Sequence, residues 1–363
     1  MRAAVVILNW NTREYLQDFV PGVLAALGPD DALYVADSAS RDDSLDFLHE
    51  NYPQVGLLPL EENFGFAGGY NRALSVLQDR EEFEYYLLLN SDVQLSPDSL
   101  EPLYSWMEVH RNCGICGPKL HALVKNTQES AGDKYLKLNR FEYAGAAGGY
   151  IDRLGYPYCR GRVLKRVEPD EGQYDSLKRV FWVSGACLLI RSSLWEALGG
   201  FDDSFFAHME EIDLCWRAQA LGSEVWTVPD ALVWHLGGGT LPNESAWKLE
   251  LNYRNSLWML QKNLPAAIGP MRAKCRIALR WMLDWGSALV YLLSGKPQLS
   301  AAVVRAHRQV RRSPAWQQVP APRCDSPLAN SHSPAPERVC ILFQALVRGK
   351  GIFKYLRKYE GSN

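Results

Sequence analysis

Three carboxylates stand within four positions of the segment "FFAHMEEIDLCWR", residues 205–217. Asp213 has Arg217 four residues further on, a spacing that pairs opposite charges on one face of a helix. Glu210 and Glu211 have no Lys or Arg at that spacing. An unpaired carboxylate beside a ligand can act as a general base, whereas the alternative is an acidic helix start with a purely structural role.

Asp92 and His235 each follow an apolar stretch, in "LLLNSDVQL" and "VWHLGGGT". A carboxylate in such a place either caps a turn or holds a cation. The ordinary interpretation of His235 is a partly buried imidazole bonded to a carbonyl. Combined with diphosphate oxygens, however, a carboxylate and a neutral imidazole form a reasonable octahedral site for Mg²⁺ or Mn²⁺.

The N-terminal part of the chain alternates apolar runs with segments of helical spacing. The runs are "AAVVILN", "ALYVAD", "VGLLPL" and "YYLLLN", and each leads into a polar or glycine-bearing loop. Four such alternations predict an α/β fold with a mostly parallel central sheet. Because ligands of these sheets bind outside the carboxyl ends of the strands, we expect Asn9, Asp37, Asn63 and Asp92 to share one rim. The glycines of "NFGFAGGYNRAL" lead into a helix whose N-terminal N–H groups can meet phosphate, although the pattern alone is weak.

Residues from about 93 to 180 show a looser pattern. The glycine- and aromatic-rich "FEYAGAAGGYIDRLGYPYCRGR" suggests a long loop or a flap over the ligand. Such a flap would bring Tyr156, Tyr158, Arg160 and Arg162 to that ligand. Further on, "VFWVSGACLLIRSSLWEALGGFD" predicts a strand and a helix, and "EVWTVPDALVWHLGGGT" predicts a pair of strands.

Charge divides the chain into an acidic body and a basic tail. The net charge is −2, yet residues from 266 onward hold sixteen Lys and Arg against four Asp and Glu. We therefore expect two parts, 1–265 and 266–363, with a proline-rich linker at 313–337. Residues 277–294 read as an amphipathic helix because Arg280 and Asp284 interrupt the apolar run. The terminal "CILFQALVRGKGIFKYLRKY" suits an anionic membrane face or a partner subunit.

Cysteine usage indicates a reducing compartment. Eight cysteines are irregularly placed and no N-terminal signal sequence is evident, which predicts reduced thiols in a cytoplasmic protein. Cys113 and Cys116 form a lone CxxC within a pattern typical of a buried strand, which favours core over a zinc site. We expect no nucleic-acid partner and leave homo-oligomerisation open.

The motifs taken together resemble those of family 2 glycosyltransferases, particularly bacterial rhamnosyltransferase-type enzymes. The segments that carry the resemblance are "VVILNWN", "VADSASRDDS", "NFGFAGGYN", "LLLNSDVQL", "WVSGACLLIR", "GGFDDSFFAHMEEIDLCWR" and "VWHLGGGT". They span roughly residues 3 to 262. The resemblance implies a GT-A type fold, a nucleotide-diphosphate sugar donor, a divalent metal ion and inversion at the anomeric carbon.

Residue roles follow from the same resemblance. Asp92 of "NSD" would be a metal ligand with His235 as the second, and Asn90 stands where the family often has the first acid. Glu211 would be the base, at a position where Asp is frequent, and Glu210 would bind acceptor hydroxyls or raise the pKa of its neighbour. The donor-binding residues implied are Asn9, Asp37, Asn63, Gly65, Gly69, Ser91, Trp182 and Gly185.

These implications predict an inverting glycosyltransferase at the cytoplasmic face of the inner membrane. The donor would be a dTDP- or UDP-sugar, with L-rhamnose from dTDP-rhamnose as the leading candidate, and the acceptor a lipid-linked glycan or polysaccharide. The alternative is a catalytically silent scaffold that binds a nucleotide sugar. A sugar nucleotidyltransferase is disfavoured because "VILNWNTREY" lacks a glycine-, lysine- and arginine-bearing triphosphate loop.

Overall fold

The computed structural model of the 363-residue chain describes most of the sequence. The described residues are 1–80, 82–127, 133–237, 245–312 and 334–360. Most of the segment predicted as a proline-rich linker, 313–337, lies outside them.

Strands and helices alternate through the N-terminal half, as predicted. Within the described residues the strands are β1 (Ala3–Asn9), β2 (Asp31–Asp37), β3 (Gly56–Pro59), β4 (Tyr85–Asn90), β5 (Val93–Gln94), β6 (Cys113–Lys125), β7 (Tyr135–Phe141), β8 (Gly149–Ile151), β9 (Pro157–Cys159), β10 (Arg162–Val163), β11 (Arg166–Val167), β12 (Lys178–Arg179), β13 (Cys187–Arg191) and β14 (Glu224–His235). The helices are α1 (Arg13–Ala26), α2 (Ser44–Asn51), α3 (Gly65–Gln78), α4 (Glu101–Val109), α5 (Ser192–Leu198), α6 (Glu210–Ala220), α7 (Ala246–Ile268), α8 (Pro270–Leu293), α9 (Pro297–Arg312), α10 (Ile341–Arg348) and α11 (Ile352–Glu360).

The main sheet follows the order β12-β14-β6-β13-β4-β1-β2-β3, with β5 added beside β14 and β7 beside β6. β1 pairs in parallel with β2 and β4, and β2 pairs in parallel with β3. The predicted α/β fold with a mostly parallel central sheet is thereby confirmed. β13 runs antiparallel between β4 and β6.

Both faces of this sheet are buried, which explains why its strands read as continuous apolar runs. In β1, Ala4 and Val6 belong to one apolar cluster, whereas Val5 and Ile7 belong to the other. Successive side chains of a strand point to opposite faces, so every position of β1 needs an apolar residue until Asn9 ends the strand.

The strand pair predicted from "EVWTVPDALVWH" is instead one irregular strand. β14 pairs in parallel with β6 throughout, with a register shift between Val228 and Leu232. Pro229 lies inside this interruption and lacks the N–H needed for a regular ladder, which accounts for the bulge. One strand therefore carries the chain from Glu224 to His235.

The region predicted as a loop or flap contains short strands joined by turns. β8 to β11 form a separate four-stranded sheet in the order β11-β10-β9-β8. Tyr158 and Arg160 are buried in it, and Arg160 forms an ion pair with Glu360 of α11. The prediction of an open flap is wrong because these side chains pack beneath the C-terminal helices.

The amphipathic helix predicted at 277–294 corresponds to the second half of α8. Arg280 and Asp284, which interrupt its apolar run, form an ion pair of 2.9 Å that is buried against the protein. Among the described residues, none of the helices is both long and apolar enough to cross a bilayer.

Candidate active site

A cavity of about 610 Å³ opens at the carboxyl ends of β4 and β14, a size within the usual range for small-ligand sites. The sequence-predicted residues that line it are Asn63, Gly65, Ser91, Asp92, Gly185, Glu210, Glu211 and His235. The predicted residues outside this lining are Asn9, Asp37, Gly69 and Trp182. The sheet edge and α6 therefore bring the proposed metal ligands and the proposed base to one space.

Strand pairing places Asp92 beside His235. β5 and β14 run antiparallel with Val93 opposite His235, and the N–H of Leu236 donates to the carbonyl of Asp92. The His235 Nε2 atom lies 3.1 Å from Asp92 Oδ1. Burial alone would raise the pKa of Asp92, but the charge of His235 and its hydrogen bond outweigh burial and hold that pKa below its ordinary value.

The second ring nitrogen of His235 faces Glu142, a residue that the sequence analysis missed. Its Nδ1 atom lies 3.6 Å from Glu142 Oε2, and both side chains are buried. Burial would lower the pKa of His235, yet the two carboxylates of Asp92 and Glu142 raise it well above its ordinary value. A carboxylate behind a histidine fixes the orientation of the ring, which is how ligating histidines are usually held. No sequence spacing links positions 142 and 235, so only the fold reveals the pair.

Glu210 and Glu211 begin α6 after a strained turn. Phe206, His208 and Met209 all have positive φ values, between 63° and 75°, which are uncommon for residues other than glycine. Strain of this kind persists when surrounding structure enforces it. The enforcing residue is Asn255 of α7, whose buried side-chain amide donates to the carbonyls of Phe205, Ala207 and His208.

The two glutamates have carboxylate oxygens without partners. The Oε2 atoms of both Glu210 and Glu211 are buried and have no hydrogen bond within the described residues. Burial raises the pKa of Glu211 to about 7. Burial, and secondarily the neighbouring Glu211, raises the pKa of Glu210 well above its ordinary range. A carboxylate that titrates near neutrality can take a proton from a bound hydroxyl.

Asp213, two residues further along α6, has the opposite environment. It accepts hydrogen bonds from Arg217, Lys262 and Asn263, and its exposed fraction is zero. Burial would raise its pKa, but Lys262 and Arg217 lower it overall. The pairing of Asp213 with Arg217 is the one predicted from their spacing.

Asn9 and Asp37 lie directly beneath the cavity rather than on its surface. The Asn9 side-chain amide donates to Asp37 Oδ1 at 2.6 Å, the Thr12 hydroxyl donates to Asn9 Oδ1, and the Ser91 hydroxyl lies 3.0 Å from that of Thr12. Asn9 and Asp37 are almost completely buried, whereas Thr12 and Ser38 reach the cavity wall. Within this structure the pair supports the rim at which Ser91 stands.

The glycines of "NFGFAGG" serve close packing. Gly65 has φ +72°, and a Cβ there would approach the carbonyl oxygen of Phe206 to 2.5 Å. The side chain of Asn63 accepts from the Gly65 N–H, and the Ala67 N–H donates to Phe206. Gly69 packs against Leu8. The helix start predicted to meet phosphate is therefore engaged largely with the protein, because it holds the turn before Glu210.

Trp182 and the four residues predicted to lie in a flap are also away from the cavity. Trp182 is 2% exposed and its indole N–H donates to the carbonyl of Tyr150. The lining of the cavity includes none of Tyr156, Tyr158, Arg160 and Arg162. By contrast, Ser184, Gly185 and Ala186 of the same motif do line it, and the Gly185 position approaches Phe66 and Glu211.

Other residues that the sequence analysis did not single out line the same cavity. Phe206, Trp247, Lys248 and His208 come from the turn before α6 and from the start of α7. Burial lowers the pKa of Lys248, and burial together with Lys248 lowers that of His208 to about 4. An aromatic pair, Phe206 and Trp247, with ring centroids 5.6 Å apart, lies beside these groups. Apolar and cationic groups in one wall suit a sugar diphosphate better than a purely apolar ligand.

The carboxylate of Asp92 and the imidazole of His235 suit a divalent cation in their donor chemistry once His235 Nε2 has released its proton, as metal binding to histidine requires. Among the described residues, no group of three or more His, Cys, Asp and Glu side chains is arranged to hold a metal ion by itself. Two protein ligands leave most positions of an octahedral ion to oxygens of another molecule or water, which is typical of Mg²⁺ with substrate phosphates.

Comparison with known sequences decides the family. The sequence model described as glycosyl transferase family 2 matches residues 4–168, which include Asp92 and Glu142. The N-acetylglucosaminyl-diphospho-decaprenol L-rhamnosyltransferase of Mycobacterium tuberculosis is 27% identical over 296 residues, covering 79% of this chain and 92% of that protein. Residues 4–168 of this chain therefore form a family 2 glycosyltransferase domain. The rhamnosyltransferase WbbL of Escherichia coli K12 is 25% identical over 59% of this chain and 76% of that protein.

Solved structures of two proteins agree with this chain in fold. The crystal structure of GalNAc-T7 with UDP, GalNAc and Mn²⁺ superposes with a TM-score of 0.54 at 15% identity, over 74% of this chain and 50% of that one. The mannosyltransferase PcManGT of Pyrobaculum calidifontis, in complex with GDP-Man and Mn²⁺, gives 0.50 at 14% identity, over 86% and 87%. The GT-A type fold is confirmed, and the enzyme is a hexosyltransferase.

Proposed function

We propose that this family 2 glycosyltransferase transfers L-rhamnose from dTDP-rhamnose, with inversion, to a hydroxyl group of a lipid-linked glycan. The observation that carries the proposal is the pair of differently charged clusters in one cavity: Asp92 with His235, and Glu210 with Glu211. The acceptor class is supported by the mycobacterial relative, whose name specifies a diphospho-decaprenol acceptor and an L-rhamnosyl group.

In the proposed reaction Glu211 acts as the general base. Its carboxylate takes the proton from the acceptor hydroxyl as that oxygen forms a bond to the anomeric carbon. The bond from that carbon to the diphosphate oxygen breaks on the opposite side, so the configuration inverts. A positioned base contributes about 10²–10⁴ to the rate, and the pKa of Glu211, about 7, matches neutral conditions.

Asp92 and His235 would hold Mn²⁺ or Mg²⁺ on the leaving-group side, with Glu142 orienting the imidazole. Such an ion neutralises the charge that develops on the departing diphosphate. The residues proposed for the donor, Asn63, Gly65, Ser91 and Gly185, line the same cavity. Asn9 and Asp37 would act from beneath the cavity, and Lys248 adds a cation to the cavity lining.

We place the enzyme at the cytoplasmic face of the inner membrane, as a peripheral protein. This proposal is supported by the division of charge, since residues from 266 onward carry a net +12 against −14 for the rest. Polybasic segments are attracted to anionic leaflets. A lipid-linked acceptor would be held at that surface.

The test is a transfer assay with purified full-length enzyme, Mn²⁺ and a panel of nucleotide sugars that includes dTDP-rhamnose, UDP-glucose and UDP-GlcNAc. A synthetic prenyl-diphosphate-linked N-acetylglucosamine serves as the acceptor. We expect turnover with dTDP-rhamnose and its loss in Glu211→Gln. Turnover with a UDP-sugar alone would overturn the donor assignment, and nucleotide binding without any turnover would favour a scaffold.

A further inference from the structure

Helix α8 has an exposed apolar stripe on the side away from the protein core. Its members are Met282, Leu289, Val290 and Leu293, with exposed fractions of 65%, 56%, 62% and 79%. Their spacing places them on one face of the helix. Arg280, Asp284 and Ala288 are buried on the opposite face. The stripe is therefore apolar surface that the described part of the chain leaves uncovered.

The two helices α8 and α9 carry a large excess of positive charge. Residues 270–312, which form α8 and α9, contain nine Lys and Arg and a single acid, Asp284. Asp284 is 1% exposed and forms an ion pair with Arg280, so it does not offset the other bases. An exposed apolar stripe flanked by Lys and Arg is the signature of a helix that lies in a membrane interface.

A second apolar patch lies on α10. Phe343, Leu346 and Val347 are 59%, 84% and 63% exposed, and Arg348 and Lys350 follow them. The turn 152–156 connects the two helices. Arg280 of α8 donates to the carbonyl of Gly155, and the Ile341 N–H at the start of α10 donates to Asp152.

The α8 stripe also ends near the active site. The hydroxyl groups of Tyr253 in α7 and Ser287 in α8 are 2.6 Å apart. The two helices are joined at Gly269 and run antiparallel. The end of α8 at Leu293 therefore lies at the same level as the start of α7 at Trp247. The stripe therefore reaches the N-terminal end of α7, where Trp247 and Lys248 line the cavity.

We propose that the α8 stripe and its flanking bases form the surface by which this enzyme lies on an anionic lipid bilayer. The inference rests on the proposed function, whose acceptor is membrane-held, and names the surface that reaches it. It also removes α11 from the membrane contact expected for the terminal segment, whereas the patch on α10 stays exposed. Ile352, Phe353 and Leu356 of α11 are buried against the protein, so their apolar face is already used.

Charge distinguishes this occupant from a second copy of the chain. A two-fold symmetric contact through α8 would bring the same basic surface of each copy against the other. Like charges at an interface oppose association, whereas anionic headgroups neutralise them. The bilayer is therefore the occupant that the charge pattern favours.

The test measures cosedimentation of the full-length enzyme with vesicles of phosphatidylcholine and phosphatidylglycerol. The stripe variant is Met282→Gln/Leu289→Gln/Leu293→Gln, and the charge variant is Arg272→Gln/Lys274→Gln/Arg308→Gln. The matched control is Val109→Gln/Leu136→Gln, which alters exposed apolar residues outside α8. Circular dichroism and donor hydrolysis without vesicles check that each variant is folded and active.

We expect the stripe and charge variants each to lower the vesicle partition coefficient by about tenfold or more, with the control unchanged. Hydrolysis of the donor stays at the wild-type rate in all of them. Wild-type enzyme that ignores these vesicles would overturn the inference while leaving the transfer assay to judge the proposed function. Stripe variants that dissociate a dimer but still bind vesicles would overturn it as well, since the occupant would then be a second copy.

Discussion

Two acidic clusters share one cavity, and they are built in opposite ways. At the sheet edge, Asp92 and Glu142 lie on either side of His235, and the pKa of Asp92 is lowered while that of His235 is raised. At the start of α6, Glu210 and Glu211 have no cationic partner, and their pKa values are raised. The first cluster stabilises positive charge, and the second retains protons near neutrality.

Asp213 shows that this contrast is not a general property of α6. It lies on the same helix but is fully paired with Arg217, Lys262 and Asn263. A buried carboxylate without partners is costly, so one kept at the wall of a cavity points to use by a ligand. The comparison therefore supports the proposal of cation binding at the sheet edge and of proton transfer at the helix start.

Removing the base should have the largest effect. In Glu211→Gln the side chain keeps its size but cannot take a proton, so we expect kcat to fall by about 10²–10⁴. The dissociation constant of the donor, measured by calorimetry, should remain within about twofold because only the chemical step loses the base. Glu62→Gln, which alters an exposed carboxylate, is the control. Equal activity of Glu211→Gln and wild type would remove the assignment.

Removing a charge from the sheet edge should act on metal affinity. Asp92→Asn should weaken Mn²⁺ binding in the presence of dTDP by at least about a hundredfold, since loss of an outer-shell partner alone costs 10–100-fold. Electron paramagnetic resonance of free Mn²⁺ measures this directly. Asp98→Asn, an exposed change in the segment between β5 and α4, should leave the affinity intact. Unaltered Mn²⁺ binding in Asp92→Asn would contradict a metal role for this cluster.

Glu142→Gln tests the contribution of the carboxylate beside the Nδ1 atom of His235. Because the carboxylate orients the imidazole rather than contacting the ion, we expect about a tenfold loss of Mn²⁺ affinity. The matched control is Glu168→Gln, since Glu168 is also a buried carboxylate but bonds to Tyr174 and Arg357. That control should change thermal stability only, and a loss of Mn²⁺ affinity equal to that of Glu142→Gln would refute a specific role for Glu142.

The smallest expected effect concerns stability and pH. Glu211 has an ordinary pKa of 4.5 that rises to about 7 in the folded protein. Between these values the folded state binds more protons than the unfolded state, so this group lowers stability as pH rises from 4.5 to 7. Glu211→Gln removes the penalty. We expect its Tm to exceed that of wild type by a few degrees at pH 8 and by less at pH 5, measured by scanning calorimetry; equal Tm differences at both pH values would contradict this.

The fold was accessible from the sequence because the N-terminal strands are buried on both faces and read as apolar runs. The sequence predicts two strands where the structure has β14 alone, because the bulge around Pro229 interrupts the strand pattern. The segment around Tyr158 and Arg160 was misread as a flap, because the partner of Arg160 is Glu360 of α11, two hundred positions further along. Periodicity reports local structure and carries no information about such distant pairs.

Some residues of the candidate site could be predicted from the sequence, and others could not. Asp92, Glu211 and His235 were identified by motif, and the fold brings them to one cavity. Glu142 and Asn255 were not, because each acts through a residue far away in the chain. Trp182 was expected at the donor but lies in the core, since nothing in "FWVSGACLL" distinguishes a buried indole from a ligand-facing one.

The most direct test of the central claim is a crystal structure with Mn²⁺ and a non-hydrolysable dTDP-sugar, with the ion located by anomalous scattering. The account predicts Mn²⁺ within about 2.3 Å of an Asp92 oxygen and of His235 Nε2, with the Glu211 carboxylate on the other side of the anomeric carbon. A metal ion bound away from Asp92 and His235, or a Glu211 carboxylate turned away from the sugar, would contradict it.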